Sequence, residues 1–254
     1  MSEPVKLIVH PTGAAELVID RPERHNAMTL AMYEALLALL AQCERNPAVR
    51  CILLRGAGGK SFVAGTDITY FKDFSDGRDG VRYEAFVERV IDAVERIALP
   101  TIAVIDGWAV GGGLALATAC DFRLCSEGSR FGAPIAKTLS NTLSSRNIAR
   151  LQAALGVPRV KKMLMLADYI SSQEAHACGY VYDVCSKDEL ETAAHALAQR
   201  LMALSPVTQK AVKESLRRIV VEQRLDDDDL IEAVYGSTAF KDAVTAFTSG
   251  SSKQ

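Results

Sequence analysis

Through the first two-thirds of the chain, short apolar segments rich in β-branched residues alternate with longer segments of helical periodicity, and no other feature restricts the fold as much. Such an alternation builds an α/β layered domain rather than a bundle or a sandwich. Val5 to Val9 and Glu16 to Asp20 read as paired strands around the Pro11-Thr12-Gly13 turn. The Ala-, Leu- and Glu-rich stretch Leu30 to Arg45 reads as a helix. It should stop before Asn46-Pro47, because proline disfavours helical geometry in the residue before it. Val49 to Arg55 is apolar enough for a strand buried on both faces. Phe86, Val87, Val90, Ile91, Val94, Ile97 and Ala98 recur at helical intervals and predict a helix from about Val81 to Leu99. Thr101 to Asp106 and Asp121 to Cys125 then complete a strand, helix, strand unit.

From about Ser144 the pattern turns mainly helical. Pro158 suits a first helical turn, and Gly156 and Gly179 suit helix ends. Ser205-Pro206 is a cap followed by a proline, placed before Val207 to Val221. Asp226 to Asp229 read as the solvated start of a last helix, and the small polar tail from Ser249 to Gln254 as frayed. The expected division is an α/β core over 1–195 and a helical region over 196–254.

With 254 residues, 49% of them hydrophobic, the chain can bury a substantial core. Lys and Arg total 29 against 31 Asp and Glu, so no basic excess exists to follow a nucleic-acid backbone. The polar start, Met1 to Lys6, offers no secretory segment, and no apolar run reaches membrane-spanning length. The six cysteines form no CxxC pair and read as reduced, mostly buried thiols of a cytoplasmic protein. His10, His25, His176 and His195 are scattered without metal-binding spacing, so no metal is expected.

Two segments could carry chemistry. Gly58 to Ile68 contains Gly59-Lys60-Ser61, yet a phosphate-binding P-loop needs a glycine where Leu54 stands. Asp106 to Ala115 contains Gly111-Gly112-Gly113, yet a dinucleotide fingerprint counted from Gly111 meets Leu116 where its third glycine belongs. Neither nucleotide reading survives its spacing. Three glycines between a strand and a helix either allow tight packing or expose backbone N–H groups, at the positive end of the helix, to a ligand. In the second case, one N–H from each loop could converge on a carbonyl oxygen that becomes negative during reaction.

Taken in order, Arg21-Pro22-Glu23-Arg24-His25-Asn26-Ala27-Met28, Ala64-Gly65-Thr66-Asp67-Ile68, Gly111-Gly112-Gly113 with Cys120-Asp121, and Phe131-Gly132-Ala133-Pro134 resemble the crotonase (enoyl-CoA hydratase/isomerase) superfamily over nearly the whole chain. The resemblance implies a spiral of strand-strand-helix repeats with a C-terminal helical trimerisation region, and a homotrimer or a hexamer built from two trimers. It implies an acyl-CoA or enoyl-CoA thioester as substrate and no separate cofactor. By the same likeness, the oxyanion hole falls on the backbone N–H groups of Thr66 and Gly112. Arg24, His25 and Ala27 would lie by the CoA phosphates or pantetheine, and Ala64, Asp67 and Ile68 by the adenine end. Gly65, Trp108, Gly111, Pro134 and Ile135 would border the substrate, and Phe247 would pack over a neighbouring subunit's CoA site. For Arg24 and His25 the alternative is an ordinary polar turn, for Asp67 a helix cap, and for Trp108 a core position.

The sequence departs from that pattern where the chemistry is concentrated. Hydratases of the family use two glutamates, and the corresponding positions here are Ala115 and Ile135. Neither side chain moves a proton, so the ordinary hydratase mechanism is disabled unless other groups replace them; a positioned acid or base is worth roughly 10²–10⁴ in rate. A backbone oxyanion hole is indifferent to these changes. Asn141 and Ser144 could orient a water or a substrate, or simply cap the next helix. Tyr70, Asp73 and Asp76 could reach the acyl pocket from a mobile flap or form a solvated loop, Lys137 reads as exposed rather than catalytic, and a lysine common three residues after Phe247 in the family is here Gly250. The expected function is therefore acyl-CoA enolate chemistry of an atypical hydratase or isomerase. The alternatives are decarboxylation, thioester cleavage, or an acyl-CoA-binding trimer without catalysis.

Overall fold

In a computed structural model, which describes residues 4–249, the chain forms the expected spiral. Strands β1 (Val5–Val9) and β2 (Ala14–Ile19) form an antiparallel hairpin. The second strand begins two residues before its predicted start at Glu16, because Ala14 already pairs with Cys51. Helix α1 (Leu30–Arg45) has the predicted bounds, with the Thr29 hydroxyl accepting from the Met32 N–H and the helix ending at Asn46. Three strand-strand-helix turns follow. They are β3 (Cys51–Gly56), β4 (Ser61–Val63) and α2 (Gly77–Arg96); β5 (Thr101–Ile105), β6 (Trp108–Val110) and α3 (Gly112–Ala119); and β7 (Phe122–Ser126), β8 (Arg130–Gly132) and α4 (Ile135–Thr138).

The first strand of each turn enters one sheet and the second strand enters another. The larger sheet has the order β1-β2-β3-β5-β7-β10, parallel beyond the hairpin, with β10 at Asp183–Cys185. The smaller has the order β4-β6-β8-β9, with β9 at Ile170–Ser171. Helix α1, α2 and α3 cover one face of the larger sheet in a continuous core that includes Leu36, Ile52, Ile91, Ala103 and Leu116.

Helices α5 (Ser145–Met165), α6 (Ser172–Ala177), α7 (Leu190–Met202), α8 (Pro206–Arg217), α9 (Asp228–Tyr235) and α10 (Thr238–Thr248) complete the described residues. Gly156, expected at a helix end, instead forms a kink within α5 (φ 76°, ψ 152°), with Pro158 opening the second half as predicted. The predicted boundary at 195 falls inside α7. Leu190, Ala194, Leu197 and Leu201 of that helix pack on the other face of the larger sheet against Leu53, Ile102 and Leu124, so the core runs through to Met202. The predicted last helix is two, because the Ser237 hydroxyl caps a new start by accepting from the Phe240 N–H at 3.1 Å. Residues 250–254, including Gly250, lie outside the described residues.

Two polar clusters sit inside this frame. His10 and His195, far apart in sequence, both meet the buried Glu16, at 2.8 and 3.3 Å, and Arg55 pairs with the same carboxylate at 2.5 Å. The predicted scatter of histidines is thus corrected by the hairpin and α7, which bring two of them together. The second cluster ties the C-terminal helices down: Glu214 accepts from Arg217 and Arg218, and Arg218 also pairs with Asp229. Hydrogen bonds from Arg217, opposed by burial, hold Glu214 at a pKa of about 2. A carboxylate depressed in this way stabilises the fold fully above its unfolded pKa of roughly 4.3, and that stabilisation is lost as pH falls through the folded value. Circular dichroism should therefore show helix loss in acid between about pH 4 and 2, and the Glu214→Gln variant should have a weaker acid transition. The six cysteines are free thiols, four of them buried. Among the described residues, no helix is long and apolar enough to cross a membrane.

Candidate active site

The two glycine-containing segments predicted to carry chemistry meet at the N-terminus of α3. Thr66 bridges Met28 in parallel fashion: the Met28 N–H donates to the Gly65 carbonyl at 2.8 Å, and the Asp67 N–H donates to the Met28 carbonyl at 2.9 Å. Because bonding groups alternate along an extended strand, this pairing turns the Thr66 N–H to the opposite side. Gly112 is the first residue of α3, where N–H groups have no intrahelical partner. Neither N–H donates a hydrogen bond to any described residue. The loops are in contact, since a Cβ built on Gly65 would lie 3.7 Å from the Gly112 nitrogen.

The three consecutive glycines have separate causes. Gly111 takes φ 54°, ψ −117°, a conformation for which a side chain is unsuited. A Cβ on Gly113 would fall 2.0 Å from the Val63 carbonyl oxygen, so this glycine allows α3 to pack on β4. A Cβ on Gly112 would fall 2.5 Å from the Tyr33 hydroxyl. The packing explanation thus accounts for Gly113, while Gly112 presents bare backbone beside Thr66.

Tyr33 and Tyr83, which the sequence reading did not single out, fix the Thr66 side chain. The Tyr33 hydroxyl lies 3.0 Å from the Thr66 Oγ1, and the Tyr83 hydroxyl lies 2.6 Å from the same atom. Tyr33 is fully buried, and burial raises its pKa to about 12, so it stays a neutral donor. A Thr66→Val variant would leave the Tyr33 hydroxyl unpaired, and urea unfolding should show a loss of about 1–3 kcal/mol.

Tyr83 also lines a cavity of about 560 Å³ with Phe71, Phe74, Leu139, Leu143 and Glu84, walled largely by apolar side chains. The flap over it, a 3-10 turn at Ile68–Asp73, is anchored by edge-to-face contacts among Tyr70, Phe71, Phe74 and Tyr83. A second cavity of about 550 Å³ lies between α8 and the segment Thr118–Phe122, and Tyr83, which ties the first cavity to Thr66, does not line it.

The remaining predicted site residues divide into several groups. Arg24 and His25 are exposed in the 3-10 turn at Pro22–Arg24 and its left-handed C-cap, and Ala27 and Ala64 are half-buried nearby. Ile68 is exposed beside them. Asp67 is engaged on both sides: it caps the flap by accepting from the Thr69 N–H and pairs with Arg21 at 2.8 Å. Those hydrogen bonds, from Thr69 first and then Arg21, lower its pKa to about 2. Asn141 and Ser144 line the cavity, but the Ser144 hydroxyl caps α5 by accepting from the Asn147 N–H. Pro134 caps α4, and Ile135 is half-buried against the core. Ala115 is buried. Trp108, expected to border the substrate, is outside the cavity lining; its half-exposed ring packs edge-on against Tyr169. Phe247 is 79% exposed on α10 and does not line the cavity of its own chain.

A spiral of strand-strand-helix turns that brings these two loops together defines a crotonase-fold protein. The chain belongs to the enoyl-CoA hydratase/isomerase family, whose profile it matches over residues 10–249. It is 31% identical over 242 residues to the short-chain-enoyl-CoA hydratase of Clostridium acetobutylicum, covering 92% of this chain and 90% of that protein. Its identity to the crotonyl-CoA hydratase of Syntrophomonas wolfei is 28%, again over 92% of this chain and 90% of that protein. Among solved structures, an enoyl-CoA hydratase/carnithine racemase from Magnetospirillum magneticum superposes with a TM-score of 0.87 at 26% identity, over 98% of this chain and 94% of that one. The enoyl-CoA hydratase of Bacillus anthracis gives 0.84 at 27% identity, over 98% and 97%. The protein is thus an enzyme of the hydratase/isomerase type.

Proposed function

We propose that the protein binds an acyl-CoA or enoyl-CoA thioester with its carbonyl oxygen between the Thr66 and Gly112 N–H groups, and stabilises the enolate formed when a proton leaves the neighbouring carbon. The observation that carries this reading is a pair of adjacent backbone N–H groups, on separate loops, with no partner among the described residues. Two such donors aimed at developing negative charge are worth about 2.7–4 kcal/mol each in the transition state. The apolar cavity lined by Tyr83, whose hydroxyl meets Thr66, suits the acyl chain. Arg24 and His25, exposed at the mouth of the Thr66 loop, suit the anionic CoA end. With Ala115 and Ile135 in place of two glutamates, addition of water is a poor fit, and double-bond isomerisation or another enolate reaction is preferred.

Incubating the protein with a panel of saturated and unsaturated acyl-CoA esters in heavy water tests this directly. Deuterium should enter at the carbon next to the thioester. Tight binding without exchange, turnover or CoA release across the panel would contradict enolate chemistry and leave a non-catalytic acyl-CoA binder.

The proposed assembly is a trimer, or a pair of trimers, joined through the C-terminal helices. Supporting it, α9 and α10 have no buried residue, and Leu225, Tyr235 and Phe247 are 79%, 61% and 79% exposed. Light scattering should give three or six times the 27.4 kDa chain mass, and a monomer would contradict it.

A further inference from the structure

Of the carboxylates that line the acyl cavity, one is free for chemistry. Asp76, at the rim, is exposed and caps α2 in a reciprocal pair with Asp79, accepting from the Arg78 N–H at 2.7 Å. Glu84 stands two turns further along the same helix, half-buried, directly after the Tyr83 whose hydroxyl reaches Thr66. One of its oxygens accepts from the Ser144 N–H at 2.7 Å, and the other has no hydrogen bond to any described residue. Its charge is felt at the hydroxyls of both Tyr33 and Tyr83, the two groups that flank the free amides.

We propose that Glu84 is the acid–base residue of the acyl cavity, the carboxylate that takes and returns the substrate proton where the family's two glutamates are Ala115 and Ile135. This rests on the enolate reading above. The free Glu84 oxygen removes a hydrogen from the carbon next to the thioester carbonyl, or from the allylic carbon of an enoyl ester. The C–H bond breaks, its electron pair moves into the carbonyl and the enolate oxygen is held by the Thr66 and Gly112 amides. The Glu84 carboxyl then returns the proton to the same carbon, giving exchange, or to the other end of the system, giving a shifted double bond. Nothing else is consumed.

The surroundings favour such a role. Burial holds the Glu84 carboxyl above the ordinary carboxylate range, with the Ser144 N–H opposing and the charge of Glu88 adding to it. Glu88 is itself paired with Arg150 at 2.7 Å. From α1 the facing titratable group is Tyr33, from α2 it is Tyr83, and the cavity wall from Leu139 to Ser144 contributes no ionisable side chain. A carboxyl so placed is a stronger base once ionised and sits closer to working pH.

The test compares wild type, Glu84→Gln and Glu84→Asp for deuterium exchange into an acyl-CoA ester that the wild type exchanges, with acyl-CoA affinity and the thermal midpoint measured alongside. Gln keeps the acceptor for the Ser144 N–H. Its exchange rate should fall by about 10²–10⁴-fold with affinity within about threefold of wild type. The Asp variant should recover part of the rate, and the wild-type rate should rise with pH as the carboxyl ionises, a rise that should be absent from the Gln variant. Exchange by Glu84→Gln within about threefold of wild type overturns the assignment while leaving the enolate reading intact. Absence of exchange in wild type itself overturns both.

Discussion

Replacing Gly112 by alanine should reduce deuterium exchange into acyl-CoA by about 10²–10³-fold, the loss expected when one donor of an oxyanion-stabilising pair is displaced. The new methyl would lie 2.5 Å from the Tyr33 oxygen. Tyr33 is fully buried and its hydroxyl is held by Thr66, so the ring cannot swing aside and the start of α3 must shift instead. That shift moves the Gly112 N–H relative to Thr66. Affinity for the CoA end should change little, because the exposed turn around Arg24 is untouched. Exchange kinetics with a parallel binding isotherm measure both quantities, and an unchanged exchange rate would remove Gly112 from the chemistry.

Arg150→Ala should cost about 3–5 kcal/mol in urea unfolding, because it strands carboxylates that were paired by a buried cation. The Arg150 side chain is 3% exposed and bonds Glu88 at 2.7 Å and Glu95 at 2.8 Å, with Asp92 at 3.7 Å. All three acids lie on α2, so a single guanidinium from α5 registers the cavity-bearing helix against the C-terminal half. Lysine at this position keeps the charge but not the planar fork, and should recover only part of the loss. Equal stability of the alanine variant and wild type would mean that the network contributes nothing net.

Much of the fold was readable in sequence because local signals agreed with tertiary demands. Leu30 to Arg45 stood out for its composition and its stop at Asn46-Pro47, and the structure adds the Thr29 cap at the bounds predicted. The periodicity of Phe86 to Ala98 predicts a start of α2 near Val81, and the reciprocal Asp76 and Asp79 caps carry the helix back to Gly77. The two glycine loops were legible as backbone features, since glycines between a strand and a helix constrain the main chain wherever they occur. The groups that complete the site were not. Tyr33 and Tyr83 lie on two helices, about fifty positions apart, and only packing makes them converge at Thr66, while Glu84 joins them through the cavity that Tyr83 lines. No motif in the sequence marks Tyr33, Tyr83 or Glu84. The meeting of His10 with His195 around Glu16 was hidden for the same reason.

A crystal structure of the protein with a bound acyl-CoA ester measures where the thioester oxygen sits. That oxygen should lie about 2.7–3.1 Å from both the Thr66 and Gly112 nitrogens, with the acyl chain running past Tyr83 and Glu84. An acyl-CoA bound with its carbonyl turned away from both amides, or seated in the cavity beneath α8, would contradict it.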